Sequence, residues 1–164
     1  MTNPLQNLVR RLVLGSPKSL GARGEQAAAK HLKNRGYRII LRNTRSRVGE
    51  VDLLAEAPDR RTVVVVEVKS RVVRGGGSGK GGGKPGEKGD SQRLPERAIT
   101  KAKGRKLATL AQSVATKLDE ESKGRGPKRG VRIDVVAVDF EPGGQTTRDI
   151  RHYPNAINAT GQRV

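Results

Sequence analysis

The segment RTVVVVEVKS, residues 61–70, is the strongest indication of the fold in this sequence. Its four consecutive valines are typical of a strand that is buried on both faces of a sheet. Because alternate residues of a strand share a face, Glu67 and Lys69 lie side by side where this strand leaves the core. Such a pair is commonly a salt bridge at a strand end, and the segment alone favours that interpretation over catalysis.

Helices and further strands are predicted on both sides of the valine strand from their hydrophobic periodicity. They are, in chain order, a helix at 24–35 ended by Gly36, strands at 37–43 and 49–55, a helix at 100–118 with Thr100 as its N-cap, a strand at 131–138, and a short strand at 148–153 closed by Pro154. Short connections make the first three strands antiparallel neighbours, and the helix after the valine strand implies a parallel crossover. The expected fold is therefore α/β, with a mixed sheet flanked by helices.

The 164 residues are enough for one domain with a core of its own. Residues 1–20 are interpreted as a basic, flexible N-terminal arm, 21–157 as the single domain and 158–164 as a C-terminal tail. Within the domain, residues 74–91, RGGGSGKGGGKPGEKGDS, are half glycine. This composition predicts an inserted, flexible Gly/Lys-rich loop.

The charge balance indicates the partner. Thirty-four Lys and Arg against sixteen Asp and Glu give a net charge of +18, so a polyanion, nucleic acid first, is the expected partner. The alternative is a basic proteome or a soluble, highly charged surface. Two Tyr, one Phe and no Trp leave few rings for base stacking, and contacts are expected mainly to phosphates. The absence of Cys excludes a disulfide framework and a thiolate metal site, and it is compatible with the expected cytoplasmic location. No apolar run approaches the roughly 20 residues of a membrane helix, so no membrane partner is expected.

The segment GEVDLLA, residues 49–55, changes the interpretation of Glu67. If its strand pairs with the valine strand, Asp52 and Glu67 lie a few ångströms apart. Two carboxylates that are so close repel each other, which raises the pKa of at least one of them unless a cation lies between them. A hard divalent ion such as Mg²⁺ would remove this repulsion. Glu25 lies on the apolar stripe of the first helix, although a first-turn glutamate favoured by the helix dipole is the simpler explanation.

The pattern of Asp52 followed by Glu67-Val68-Lys69 resembles the D…ExK site of the restriction-endonuclease-like nuclease superfamily. More closely, the chain resembles the YraN family, small bacterial proteins that are likened to archaeal Holliday-junction resolvases. The matching segments are GARGEQAAAKHLKNRGYRII, RSRVGEVDLLA, VVVVEVKSR, ITKAKGRKL, VRIDVVAV and IRHYPNAI, which together span residues 21–157. The resemblance implies a restriction-endonuclease-like αβββαβ core. The Gly/Lys-rich loop departs from the family pattern, in which this connection is shorter.

The resemblance implies a role for each matching residue around the acidic pair. Asp52 and Glu67 would be metal ligands, with the carbonyl of Val68 as a third. Lys69 would orient or polarise the attacking water and offset charge in the transition state. Glu25 would be an outer ligand or would hold a water. These four side chains are the implied catalytic residues.

Basic side chains near the site would contact the phosphates of nucleic acid, namely Lys103, Lys101 and Arg71. Glu50 shares the face of Asp52 and would support the site from behind the ligands, or substitute in metal binding. The implied cofactor is Mg²⁺, with Mn²⁺ as a substitute. Resolvases of similar fold act as dimers, so a homodimer is also implied.

Two other charged groups are assigned to structure. Asp134 lies in the middle of a predicted strand with Arg132 on its own face, which is typical of an ion pair rather than of catalysis. His31 and His152 have no partners at metal-ligand spacing, so no zinc site is predicted.

Three functions stay open. The first is a metal-dependent endonuclease that hydrolyses DNA phosphodiesters, in branched or damaged DNA among others. The second is a nucleic-acid-binding protein that keeps a nuclease-like fold without catalysis, since a fold does not fix a function. The third is an accessory subunit, in which the acidic cluster only holds strands together.

Overall fold

A computed structural model of the protein describes residues 19–46, 49–73, 99–121 and 128–157, with the backbone alone described at 44–46 and 49. The elements are α1 (Leu20–Asn34), β1 (Arg38–Ser46), β2 (Gly49–Glu56), β3 (Thr62–Val72), α2 (Lys101–Glu121), β4 (Gly130–Phe140) and β5 (Thr147–Ile157). This α/β arrangement confirms the predicted fold class and contains the αβββαβ core, followed by one more strand. The loop predicted at 74–91, the tail at 158–164 and the arm as far as residue 18 lie outside the described residues.

The five strands form one sheet in the order β1-β2-β3-β4-β5. The pairs β1–β2, β2–β3 and β4–β5 are antiparallel, and β3–β4 is parallel. The predicted antiparallel neighbours and the parallel crossover through a helix are thus confirmed. The valine strand, β3, lies in the middle of the sheet, which explains its unbroken apolar run.

Each face of the sheet carries one described helix, and we call these the α1 face and the α2 face. The valines of β3 alternate between the two faces: Val64 and Val66 pack on the α1 face, and Val63 and Val65 pack on the α2 face. All four are fully buried, and each buried valine contributes roughly 1.5–3 kcal/mol. Neither described helix has the length and hydropathy needed to cross a bilayer.

α1 begins four residues before the predicted start at Gly24. The side chain of Ser19 accepts a hydrogen bond from the backbone N–H of Ala22 at 3.2 Å and caps the helix. Gly21 and Gly24 lower the helix propensity of this turn, and the cap and the packing of the helix on the sheet override them. The helix ends before Gly36, whose φ of +83° is the left-handed conformation that glycine adopts without strain.

α2 begins where it was predicted to begin. The backbone N–H of Lys103 donates to Oγ1 of Thr100 at 3.2 Å, which confirms Thr100 as the N-cap. The helix continues through the buried Gly104 and ends at Glu121, three residues beyond the predicted end.

The prediction that Pro154 closes the last strand was wrong, because β5 continues to Ile157. β5 is an edge strand, where a residue without an N–H is tolerated. Its pairing with β4 shifts register just after Tyr153, and Asn155 adopts a φ of +54° in the resulting bulge. The N–H of Asn155 donates to Oδ1 of Asp134 at 2.9 Å, so the bulge is held from the neighbouring strand.

Candidate functional site

The candidate site lies where β2 separates from β3. The described β2–β3 ladder ends at the pair Leu53–Val66, whereas β3 stays paired with β4 along its whole length. The N–H of Val68 donates to Oδ2 of Asp52 at 2.7 Å instead of to a backbone carbonyl of β2. A carboxylate from β2 is therefore held against the backbone of the central strand.

Glu67 is the buried acid of the site, with an exposed fraction of only 2%. Its Oε1 contacts two ammonium groups, Lys69 Nζ at 2.8 Å and Lys103 Nζ at 2.5 Å. Its Oε2 is buried and has no hydrogen-bond partner among the residues that the structure describes. Since a buried carboxylate is costly unless its oxygens are satisfied, Oε2 is an acceptor that could take a donor or a cation.

Gly24 brings α1 close enough to place Glu25 at the same site. A Cβ at this position would lie 1.6 Å from Oγ and 2.9 Å from Cβ of Ser70 on β3, so only glycine permits the observed approach. Burial raises the pKa of the neighbouring Glu25, and the charge of Asp52 raises it further. The charge of Glu67 acts in the same direction, while Arg42 opposes it.

The electrostatics of Asp52 follow from the same crowding. Burial raises its pKa first, and the negative charge of Glu67 raises it again. The hydrogen bond from Val68 and the ammonium groups of Lys103 and Lys69 act in the opposite direction. The protein thus holds two carboxylates in competition for positive charge, which a cation between them would relieve.

The structure brings together Asp52, Glu67, Lys69 and Lys103, with Glu25 close by. The backbone of Val68 lies beside Asp52, and the remaining predicted side chains lie further out. Lys101 is the first residue of α2 and is exposed. Glu50 is also exposed and lines a groove together with Lys103.

Arg71 is engaged in a different ion pair, further along β3. Its guanidinium contacts Asp139 through Nε at 2.7 Å and through a second nitrogen at 3.2 Å. Asp139 also accepts from Arg151 at 2.9 Å. One carboxylate therefore neutralises part of the charge of both arginines, and Arg71 has less positive charge to offer a phosphate than its sequence position suggested.

The donor set fits a divalent cation of the Mg²⁺ type. The described residues contain no group of three His, Cys, Asp or Glu side chains arranged to hold a metal. Mg²⁺ does not require such a cage, because it is commonly held by one or two carboxylates and keeps several waters. The unpartnered Oε2 of Glu67 and the adjacent carboxylate of Asp52 match this requirement.

Sequence reasoning found the ion pair of Asp134 but missed the extent of its network. The fully buried Asp134 accepts from Arg132 at 2.8 and 2.9 Å, from His152 at 2.8 Å and from the N–H of Asn155. Burial raises its pKa, but these hydrogen bonds outweigh burial and leave the pKa below its ordinary value. Arg132 also donates to the hydroxyl of Tyr37 at 2.6 Å. The R-x-D spacing indicated the first contact, whereas the others depend on the register of β5.

A protein-family model described as "Uncharacterised protein family UPF0102" matches residues 24–138, a range that includes every side chain of the candidate site. A UPF0102 protein of Symbiobacterium thermophilum is 40% identical over 142 residues, which cover 87% of this chain and 98% of the relative. A UPF0102 protein of Persephonella marina is 35% identical over 138 residues, or 84% and 92% of the two chains. A UPF0102 protein of Clavibacter michiganensis subsp. michiganensis is 39% identical over 133 residues, or 81% and 92%.

Proposed function

The chain belongs to the uncharacterised protein family UPF0102, the YraN family, and on that premise we propose that it is a metal-dependent endonuclease that hydrolyses DNA phosphodiester bonds. One observation carries the proposal: Asp52, Glu67 and Lys69 meet where β2 leaves β3, and one buried oxygen of Glu67 has no hydrogen-bond partner in the described part of the chain.

Asp52 and Glu67 would hold the cation, with Mg²⁺ as the first candidate and Mn²⁺ as its substitute. The N–H and C=O of a residue in an extended strand point toward the same neighbouring strand. The C=O of Val68 would therefore face the gap beside Asp52, as its N–H does, and would be the third protein ligand. A divalent ion bound there would lower the pKa of a coordinated water and stabilise charge on the phosphate oxygens.

Lys69 supplies a positive charge beside the acids. Its ammonium is 2.8 Å from Oε1 of Glu67, and its side chain is 32% exposed. It can therefore keep its contact with Glu67 while it meets a phosphate oxygen or the attacking water, where a fixed charge stabilises the transition state. Glu25, close enough for its pKa to respond to Asp52 and Glu67, would hold a water on the α1 side of the gap.

The start of α2 would bind the phosphates that flank the reacting one. Lys101 and Lys103 lie in its first turn, which contains no acidic residue. Positive side chains and the positive end of the helix dipole are thus concentrated beside the acids. Arg71 would contribute less, because it is paired with Asp139. The net charge of +18 supports a polyanionic substrate.

The preference for branched or damaged DNA, the homodimer and the cytoplasmic location belong to the proposal and rest on the family resemblance and on composition. A symmetric junction would suit a two-fold dimer, because each protomer would then meet an equivalent strand.

A second candidate function is nucleic-acid binding without catalysis. Two lysines already neutralise Glu67, and no cluster of three metal-ligating side chains is present among the described residues. A protein of this kind would bind DNA with the same salt dependence but would be indifferent to Mg²⁺ and to Asp52→Asn. In an accessory subunit, Asp52 would act only through its hydrogen bond to Val68.

The experiment is nicking of a labelled four-way junction and of a matched duplex with Mg²⁺ or Mn²⁺. Asp52→Asn and Lys69→Ala should each lower the rate by at least about 10²-fold. Glu120→Gln and Lys117→Ala, which make the same changes on the exposed surface of α2, should leave it unchanged. If the wild-type protein cuts neither substrate but binds both in a salt-dependent manner, the non-catalytic function is favoured.

A further inference from the structure

Glu67 is contacted by more positive charge than is needed to neutralise its carboxylate. Its carboxylate bears one negative charge, yet the ammonium groups of Lys69 and Lys103 contact the same oxygen, at 2.8 and 2.5 Å. The two ammonium groups repel each other across this oxygen. A divalent cation placed on Glu67 would add to that repulsion, so one ammonium group has to leave before the cation can bind well.

Lys103 is better placed to leave than Lys69. Lys69 lies two residues from Glu67 on the same strand and the same face, so the sheet holds the two side chains together. Lys103 belongs to a different element, the first turn of α2, and its side chain is 40% exposed. It can rotate toward solvent without any change in the sheet.

The pair between Lys103 and Glu67 is not an ordinary surface salt bridge. Exposed pairs contribute little because water and salt screen both charges. Here the carboxylate is 2% exposed, so the ammonium is the counter-ion of a desolvated charge. Such a contact is strong enough to compete with an external cation for the same carboxylate, although the ammonium contacts Oε1 and Oε2 carries no hydrogen bond among the described residues.

We propose that Lys103 is an internal counter-ion that occupies the Glu67 site in the metal-free protein and couples cation binding to polyanion binding. The inference rests on the proposed function, since it takes Glu67 to be a cation ligand. When a cation displaces Lys103, the ammonium joins Lys101 and the positive helix end on the solvent side. There it is available to a phosphate.

Thermodynamic linkage then fixes the direction of the effect. A phosphate that draws Lys103 away from Glu67 removes the cost of displacing it, so the cation binds more tightly. By reciprocity the cation strengthens phosphate binding by the same factor. Lys103 therefore favours simultaneous binding of cation and nucleic acid over binding of either alone.

The first test measures Mn²⁺ binding by calorimetry without nucleic acid, at an ionic strength high enough to screen through-space charge effects. Lys103→Met should bind Mn²⁺ about tenfold more tightly than the wild type. Lys106→Met removes an exposed lysine one turn further along the same helix, and it should not change the affinity. Equal affinities in Lys103→Met and Lys106→Met, or weaker binding in Lys103→Met, would overturn the proposal.

The second test measures the affinity for a nuclease-resistant phosphorothioate DNA duplex with and without Mn²⁺. Mn²⁺ should strengthen duplex binding in the wild type and in Lys106→Met. The enhancement should fall several-fold in Lys103→Met, which keeps only what direct contact between cation and phosphate contributes. The same enhancement in all three proteins would show that Lys103 does not carry the coupling.

Asp52→Asn distinguishes a failure of the counter-ion proposal from a failure of the proposed function. If Mn²⁺ binding requires Asp52 but does not respond to Lys103, the proposed function stands and the counter-ion role is wrong. If no Mn²⁺ binding depends on Asp52, both fail. Lys103→Arg keeps the charge and should retain the weaker Mn²⁺ affinity of the wild type. Lys103→Gln replaces Lys103→Met in both tests if the Met variant does not fold, as judged by circular dichroism.

Discussion

Replacement of Gly24 by alanine tests the close approach of α1 to the central strand. In an unconstrained helix this change stabilises by about 1 kcal/mol. Here the new Cβ would meet Oγ of Ser70 at 1.6 Å and Cβ of Ser70 at 2.9 Å. Rotation of the hydroxyl relieves the first contact, but Cβ of Ser70 is fixed by β3 in the middle of the sheet. The helix has to move away.

The net effect can be estimated from these two terms. Overpacking of a well-packed interior costs about 1–3 kcal/mol, and so severe an overlap belongs to the upper part of that range. Subtracting the gain in helix propensity leaves a predicted loss of about 1–2 kcal/mol in the free energy of unfolding. In a Ser70→Gly background the nearest remaining neighbour is Cγ1 of Val68, at an ordinary 3.6 Å. There Gly24→Ala should stabilise by about 1 kcal/mol.

The assay is a double-mutant cycle by urea unfolding. The coupling energy between the two positions should be about 2–3 kcal/mol. Gly21→Ala is the matched control, since among the described residues a Cβ at Gly21 would meet only Oγ of Ser19, at 4.0 Å, and the change should not destabilise either background. If Gly24→Ala has the same effect with Ser70 as with Gly at position 70, or stabilises the wild type, the packing argument is refuted.

Three further predictions concern the buried acids and the bulge of β5. Asp134→Asn should cost about 3–5 kcal/mol in urea unfolding, because it leaves Arg132 and His152 partly unpaired. The pKa of Asp134 is lowered, so its stabilisation of the fold is present above its ordinary pKa and is lost as the pH falls through the folded value. An Asp134→Asn variant with the free energy of unfolding of the wild type at neutral pH would contradict this. Asn155→Val should cost about 1–2 kcal/mol, since a β-branched residue is strained at a φ of +54°, whereas Asn155→Gly should be tolerated in the same assay. The pKa of Asp52 is raised by burial and by the nearby acid, so its stabilisation is present below its ordinary pKa and lost as the pH rises through the folded value. In the presence of a chelator, Asp52→Asn should therefore have a higher thermal unfolding midpoint than the wild type at neutral pH, and this difference should disappear in acid. A lower midpoint than that of the wild type at neutral pH would favour the accessory-subunit function.

Local patterns in the sequence were enough to predict most of the secondary structure and the layers of the fold. The valine run predicted a central strand buried on both faces, and the structure confirms it. Period-two alternation placed Glu67 and Lys69 on one face, and the structure pairs them. Thr100 was recognised as an N-cap. These features depend on alternation, helical spacing and capping, which act between residues at most about four positions apart.

The assembly of the site depends on contacts between distant segments of the chain. The point at which β2 leaves β3 places Asp52 on the N–H of Val68, and the docking of α2 places the ammonium of Lys103 on Glu67. The continuation of β5 past Pro154 likewise depends on its position at the sheet edge and on the hydrogen bond from Asn155 to β4. Residue spacing along one segment carries no information about the register and distance between segments. The register and the distance between segments are set when the two helices pack against opposite faces of the sheet, and this packing involves segments from most of the chain.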